Sequence, residues 1–127
     1  MTPAEIERVH RENLHILMIA NPERVDDFAV FLQMENLRRA RFKSGTIPSS
    51  DTLLRALPAI RARITGIWGG SDAFMARRLD EVRRVLASVQ PDLDFRVIPG
   101  AGHWAIYEAA DEVNAVLLDM LRVSPCQ

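Results

Sequence analysis

Ile64-Thr-Gly-Ile-Trp-Gly-Gly-Ser-Asp72 and Phe95-Arg-Val-Ile-Pro-Gly-Ala-Gly-His-Trp104 decide how this chain folds. Each is a short apolar run that stops at glycines, the pattern of a strand ending in a tight turn. A helix-periodic stretch follows each turn. Residues 76–89 place Leu79, Val82, Val85, Leu86 and Val89 on one side and arginines on the other. From Ala105 to Leu121 the spacing predicts a single helix burying Ile106, Ala110, Val113, Leu117 and Met120. The second half therefore reads β-α-β-α, and a right-handed crossover makes the two strands parallel neighbours. Both glycine turns set a reactive side chain at the mouth of a β-to-α connection: Asp72 after the first strand, His103 after the second.

Working outward, the first half is all helical. Thr2-Pro3-Ala4-Glu5 is a capping box with proline at the first helical position. Ile6, Val9, Asn13, Leu14, Leu17 and Met18 follow at helical spacing. Asn21-Pro22 repeats the cap-then-proline signal and opens a second helix with Val25, Phe28, Ala29 and Leu32 as its stripe. A loop from Ser44 to Ser50 leads to a short helical piece around Asp51 to Leu57. The texture changes after Pro58, which divides the chain into a helical segment, 1–60, and an α/β segment, 61–127. Two parallel strands are a difficulty. Such strands are normally buried on both faces of a larger sheet, and a two-stranded sheet is marginal by itself. The pattern is that of the last part of a larger fold.

Composition narrows the partners. The 127 residues carry a net charge of −1, and 48% are hydrophobic, so no basic surface calls for nucleic acid or an anionic membrane. The single cysteine, Cys126, cannot form an internal disulfide. No secretion signal or apolar span is present, which makes the cytoplasm the expected compartment. His10 and His15 are five apart, on different faces of a helix, and no cysteine or acid completes a metal set. Neither metal nor organic cofactor is expected.

Each candidate has a plain alternative. Asp72 before a helical segment can be an ordinary N-cap, and His103 can be a turn histidine that only hydrogen-bonds. Asp94 is a weaker acid candidate because it begins a strand. Glu108 is expected to favour the first turn of the last helix electrostatically. Trp104 is the substrate-pocket candidate, with packing as its alternative, and Trp68 is assigned to the strand core.

Taken together, Ile67-Trp-Gly-Gly-Ser-Asp72 and Gly100-Ala-Gly-His-Trp-Ala-Ile-Tyr-Glu108 resemble the last two strand-to-helix turns of the α/β-hydrolases. There the acid and the histidine follow the nucleophile in chain order. The resemblance runs from about Arg11 to Leu121. It implies a partial α/β-hydrolase fold, with a helical cap before the last two core strands. The Gly-His-Trp…Glu form, with Asn114 in the following helix, is similar to the carbon–carbon bond hydrolases that act on ring-fission products of aromatic degradation. Arg11-Glu-Asn-Leu14 and Met18 to Arg41 are similar to the cap helices of that branch. The resemblance implies Asp72 and His103 as catalytic acid and base, Trp104 at the substrate, and a small organic ester or acid as substrate.

One departure is large. No Gly-x-Ser-x-Gly elbow occurs, and Ser44, Ser49, Ser50, Ser71, Ser88 and Ser124 all lack that glycine frame. The missing nucleophile is serine, or aspartate as in the dehalogenase and epoxide-hydrolase branches. The expectation is that Met1 is an internal methionine of a longer ancestral chain or the product of a truncation. The polypeptide is then inactive alone, or a non-catalytic remnant. Its expected partners are a second copy of itself or an N-terminal fragment that supplies the elbow.

Overall fold

The computed structural model describes residues 1–42 and 45–122; Ser44, Ser124 and Cys126 lie outside them. The capping box forms as its sequence dictates: Thr2 Oγ1 accepts from Glu5 N at 3.3 Å and Glu5 returns to Thr2 N at 2.6 Å. Helix α1, Pro3–Leu17, follows. Leu14 and Ile19, both fully buried, are the centre of a first core with Val25, Ala29 and Val30.

Asn21 and Pro22 do not open a helix of full length. They open only the 3₁₀ turn Pro22–Arg24, and helix α2 starts afresh at Asp27 behind its own cap, Asp26. The interruption coincides with a tertiary contact. The Val25 carbonyl accepts from Arg11 Nη1 at 2.7 Å, which withdraws it from a helical ladder. Arg11 Nη2 also reaches Asp27 Oδ1 at 2.7 Å, so one guanidinium joins α1 to the start of α2, Asp27–Arg39. Phe28, expected inside, is 58% exposed and stacks on Phe31 and Tyr107. A short helix α3, Thr52–Ala56, and a 3₁₀ turn, Leu57–Ala59, lead into the second half.

Strands β1, Thr65–Gly69, and β2, Asp94–Ile98, are parallel, with Thr65 opposite Asp94 and Gly69 opposite Ile98. Helix α4, Leu79–Val89, connects them. The architecture is α/β, with the β-α-β-α order read from the sequence. Gln90 pins the entry to β1: its amide accepts from Ile64 N at 2.7 Å and donates to the Ala62 carbonyl at 2.5 Å.

The last helical stretch is two helices. Ala109 leaves the helical range (φ −128°, ψ 51°) and separates α5, Ala105–Glu108, from α6, Ala110–Arg122. The break lets α5 turn Ala105 and Glu108 inward while Ile106 is 78% exposed and Leu117 42% exposed, against the expectation that both are buried. Helix α6 packs across both strands. A second core forms there from Ile98, Ala101, Ala105 and Val113. On the opposite face the α4 stripe is less well covered. Val82, Val85 and Leu86 face Leu53, Leu57 and Trp68 across a cleft of 420 Å³. Trp68 is thus half-buried, not enclosed strand core.

Candidate active site

The turn after β1 is bonded to the turn after β2. Gly70 N and Ser71 N donate to the carbonyls of Ile98 and Ala101, each at 2.8 Å, so β1 continues against the second turn beyond its last strand residue. Asp72 is only 4% exposed. Its Oδ1 accepts from Phe74 N at 2.8 Å and Met75 N at 3.0 Å, and its Oδ2 lies 2.8 Å from His103 Nδ1. Asp72 thus caps the following turn with one oxygen and faces His103 with the other. Burial pushes its carboxyl up, but the bonds from His103, Phe74 and Met75 outweigh that and hold it below the usual carboxylate range.

An ionised carboxylate only accepts, so the ring nitrogen facing Asp72 is the donor. His103 therefore carries a proton on Nδ1, and its Nε2 is directed away from Asp72. The edge-to-face contact with Phe74, centroids 5.1 Å apart at 75°, braces the ring from the side. The imidazole is 41% exposed and borders two clefts. One, of 310 Å³, runs past Ile67, Gly69, Val113 and Leu117. The other, of 370 Å³, lies between Leu32 and Asn36 of α2 and Trp104, Ile106 and Tyr107. Trp104 lines this second cleft and also packs on the first core, so it both lines and packs. Among the described residues neither cleft is lined by serine, threonine or cysteine.

The other candidates are elsewhere or do other work. Asp94 is held by Arg96, with Nε to Oδ1 at 2.5 Å. Among the described residues no group of three or more His, Cys, Asp or Glu is placed to hold a metal, and no helix is long and apolar enough to cross a membrane.

Glu108 departs from expectation most. It does not merely favour a helix end. It is 7% exposed and accepts three backbone N–H groups, from Gly102 at 2.7 Å, Ala20 at 3.0 Å and Asn21 at 2.5 Å. Sequence reasoning missed it because two of those donors are more than eighty positions away. Tyr107 was missed for the same reason. Its hydroxyl donates to Asp26 Oδ1 at 2.6 Å, tying α5 to the cap of α2. Burial and that bond push the phenol up to about 12, so it remains a donor at neutral pH.

No family model matches the chain. Among curated proteins it is 34% identical over 88 residues to a 2-hydroxy-6-oxononadienedioate/2-hydroxy-6-oxononatrienedioate hydrolase of Comamonas testosteroni, an alignment covering 68% of this chain and 30% of that protein. A 2-hydroxy-6-oxo-6-phenylhexa-2,4-dienoate hydrolase of Delftia acidovorans is 38% identical over 88 residues, with the same coverage. A hydrolase of that second name from Comamonas testosteroni is 31% identical over 102 residues, 80% of this chain and 31% of the relative. The chain thus spans about a third of the length of the curated relatives it matches. With parallel strands delivering an acid and a histidine from successive turns, and relatives of this kind along most of its length, the chain belongs to the α/β-hydrolases and is similar to their ring-fission-product, carbon–carbon bond hydrolase branch.

Proposed function

We propose that Asp72 and His103 are the acid and the base of a nucleophile–acid–histidine triad that cleaves a carbon–carbon or ester-like bond in a small organic acid. The single observation that carries this reading is the 2.8 Å bond between Asp72 Oδ2 and His103 Nδ1. A buried acceptor fixes the tautomer, so Nε2 is free to take the proton of an attacking hydroxyl, and Asp72 stabilises the imidazolium that results. The nucleophile then adds to the substrate carbonyl and an acyl-enzyme forms. The imidazolium returns the proton to the leaving group, and water, activated by the same nitrogen, releases the acid. Residues 1–60 act as a cap-like segment over residues 61–127, with the cleft beside Trp104 receiving the apolar part of the substrate. The names of the relatives, hydrolases of 2-hydroxy-6-oxo dienoates, favour a substrate of that class.

The nucleophile comes from outside these 127 residues, on a preceding segment or a complementing chain. The absence of a Gly-x-Ser-x-Gly stretch supports this. The test is turnover of p-nitrophenyl acetate by the purified 127-residue protein beside His103→Ala. Both are expected at background. Robust turnover that depends on His103 would overturn the claim that a nucleophile must be supplied. A second reading, a non-catalytic module that works as a dimer, draws on the outer edge of β1, which pairs with no further strand among the described residues. A monomer by light scattering at high concentration would remove it.

A further inference from the structure

A buried carboxylate whose partners are all backbone N–H groups is a clasp, not an ion pair. Glu108 Oε2 takes Gly102 N and Ala20 N, and Oε1 takes Asn21 N. Gly102 is the residue before His103. The residue after it, Trp104, donates its N–H to the Met18 carbonyl at 2.7 Å. His103 is therefore bracketed, and both brackets end on the same turn, residues 18–21. One is direct and the other passes through Glu108. The approach is tight: a Cβ at position 102 would lie 2.7 Å from both Ala20 N and Met18 O, and 3.1 Å from Glu108 Oε2. Charge-assisted bonds of this kind are about twice as strong as neutral ones, and three of them on one buried group leave it little freedom.

We propose that Glu108 is a positioning residue for His103. It fastens the turn 100–104 to the turn 18–21, and so aims the imidazole at Asp72. The proposal rests on the reading of His103 as the base, but its geometry is independent of any nucleophile. A consequence is that the helical first half and the histidine are mechanically coupled: displacing the 18–21 turn moves the ring.

The ¹⁵N spectrum of the imidazole rings in the full 127-residue protein, at mildly alkaline pH, reads the tautomer of His103 directly. Hydrogen exchange at Gly102 and Trp104 reads the brackets. In the unaltered protein the Nδ1–H form dominates. Glu108→Ala is expected to lose that dominance and to exchange both amides roughly tenfold faster, as one lost charge-assisted bond implies. Glu108→Gln keeps one acceptor oxygen and turns an NH₂ toward a donor, so it is expected between the two. A Glu108→Ala protein with reduced thermal stability but an unchanged tautomer overturns the proposal. If that variant does not fold, Glu108→Gln decides: a reduced Nδ1–H population supports the positioning role, and an unchanged one overturns it. Asp72→Asn serves as the reference for a released ring. Because no turnover is measured, failure of the catalytic reading leaves this outcome unaffected.

Discussion

Asp72 sits in a turn bonded within itself and to the neighbouring strand-end turn, whereas His103 sits in one fastened to the helical first half of the chain. After β1, Asp72 N donates to Gly69 O, Ala76 N donates back to Asp72 O, and the side chain caps Phe74 and Met75, all within a span of eight residues. After β2, the donors on either side of His103 go to Glu108 and to Met18, and Glu108 in turn grips Ala20 and Asn21. The first turn is held within the α/β half, and the second reaches out of it. The difference teaches where precision in this pair comes from. The acid is a fixed post, and the histidine is aimed at it by contacts that exist only once the first half has folded onto the second.

The largest expected effect comes from forcing the two turns apart. A Cβ on Gly69 would lie 2.1 Å from the Gly102 carbonyl oxygen and 2.4 Å from that of Ala101, both backbone atoms. Gly69→Ala should therefore cost more than about 3 kcal/mol in urea unfolding, the upper end of overpacking. It should also release the His103 tautomer. A mild loss with the tautomer intact would show that the turns are not held in register by this contact.

Next is the fixed post itself. Asp72→Ala removes a cap and a bond to the histidine, and about 2–3 kcal/mol should be lost at neutral pH. The pH dependence carries a sign. The folded Asp72 carboxyl lies below its ordinary value of 3.8. Its contribution is thus complete above that pH and lost as the pH falls through the lower folded value. Asp72→Asn should flatten this part of the acid-unfolding curve relative to the unaltered protein. Parallel curves below 3.8 would contradict the assignment.

The smallest effects test the turn after β2, and here two glycines separate. Gly102→Ala meets backbone at 2.7 Å and should cost about 2 kcal/mol. Gly100→Ala meets nothing within 4 Å but must adopt φ +76°, which costs about 1 kcal/mol of strain. Thermal melts of the two variants should rank in that order. Only Gly102→Ala should loosen the protection of Trp104 N–H. The reverse ranking would mean that conformational strain, and not the seat on the 18–21 turn, governs this loop.

Much of this was legible beforehand because it is short-range. The capping box at Thr2, the two strands and the placing of Asp72 and His103 in their turns follow from spacing and turn glycines within a dozen residues, and the parallel pairing from the handedness of the crossover. The errors share one cause. The single helix over 105–121 satisfied its period, yet it breaks at Ala109, where Ala105 and Glu108 are drawn inward. The helix expected from Asn21 stops where Arg11, on another helix, takes the Val25 carbonyl. Ile106 and Phe28 fit their stripes and are nonetheless exposed. Periodicity describes a helix by itself and says nothing of the surface that will face it.

By itself, then, the sequence determined the order of elements, the two glycine turns and the acid–histidine pair at their mouths, because each depends on local backbone preference. Only the tertiary structure decided that Asp72 serves a cap and a histidine with separate oxygens. It alone decided that Trp104 both packs and lines a cleft, and that Glu108 is a clasp. Those roles depend on which groups meet in the folded chain, 31 positions apart for Asp72 and His103 and more than eighty for Glu108 and its donors Ala20 and Asn21. A buried carboxylate takes whatever N–H groups the folded chain brings to it.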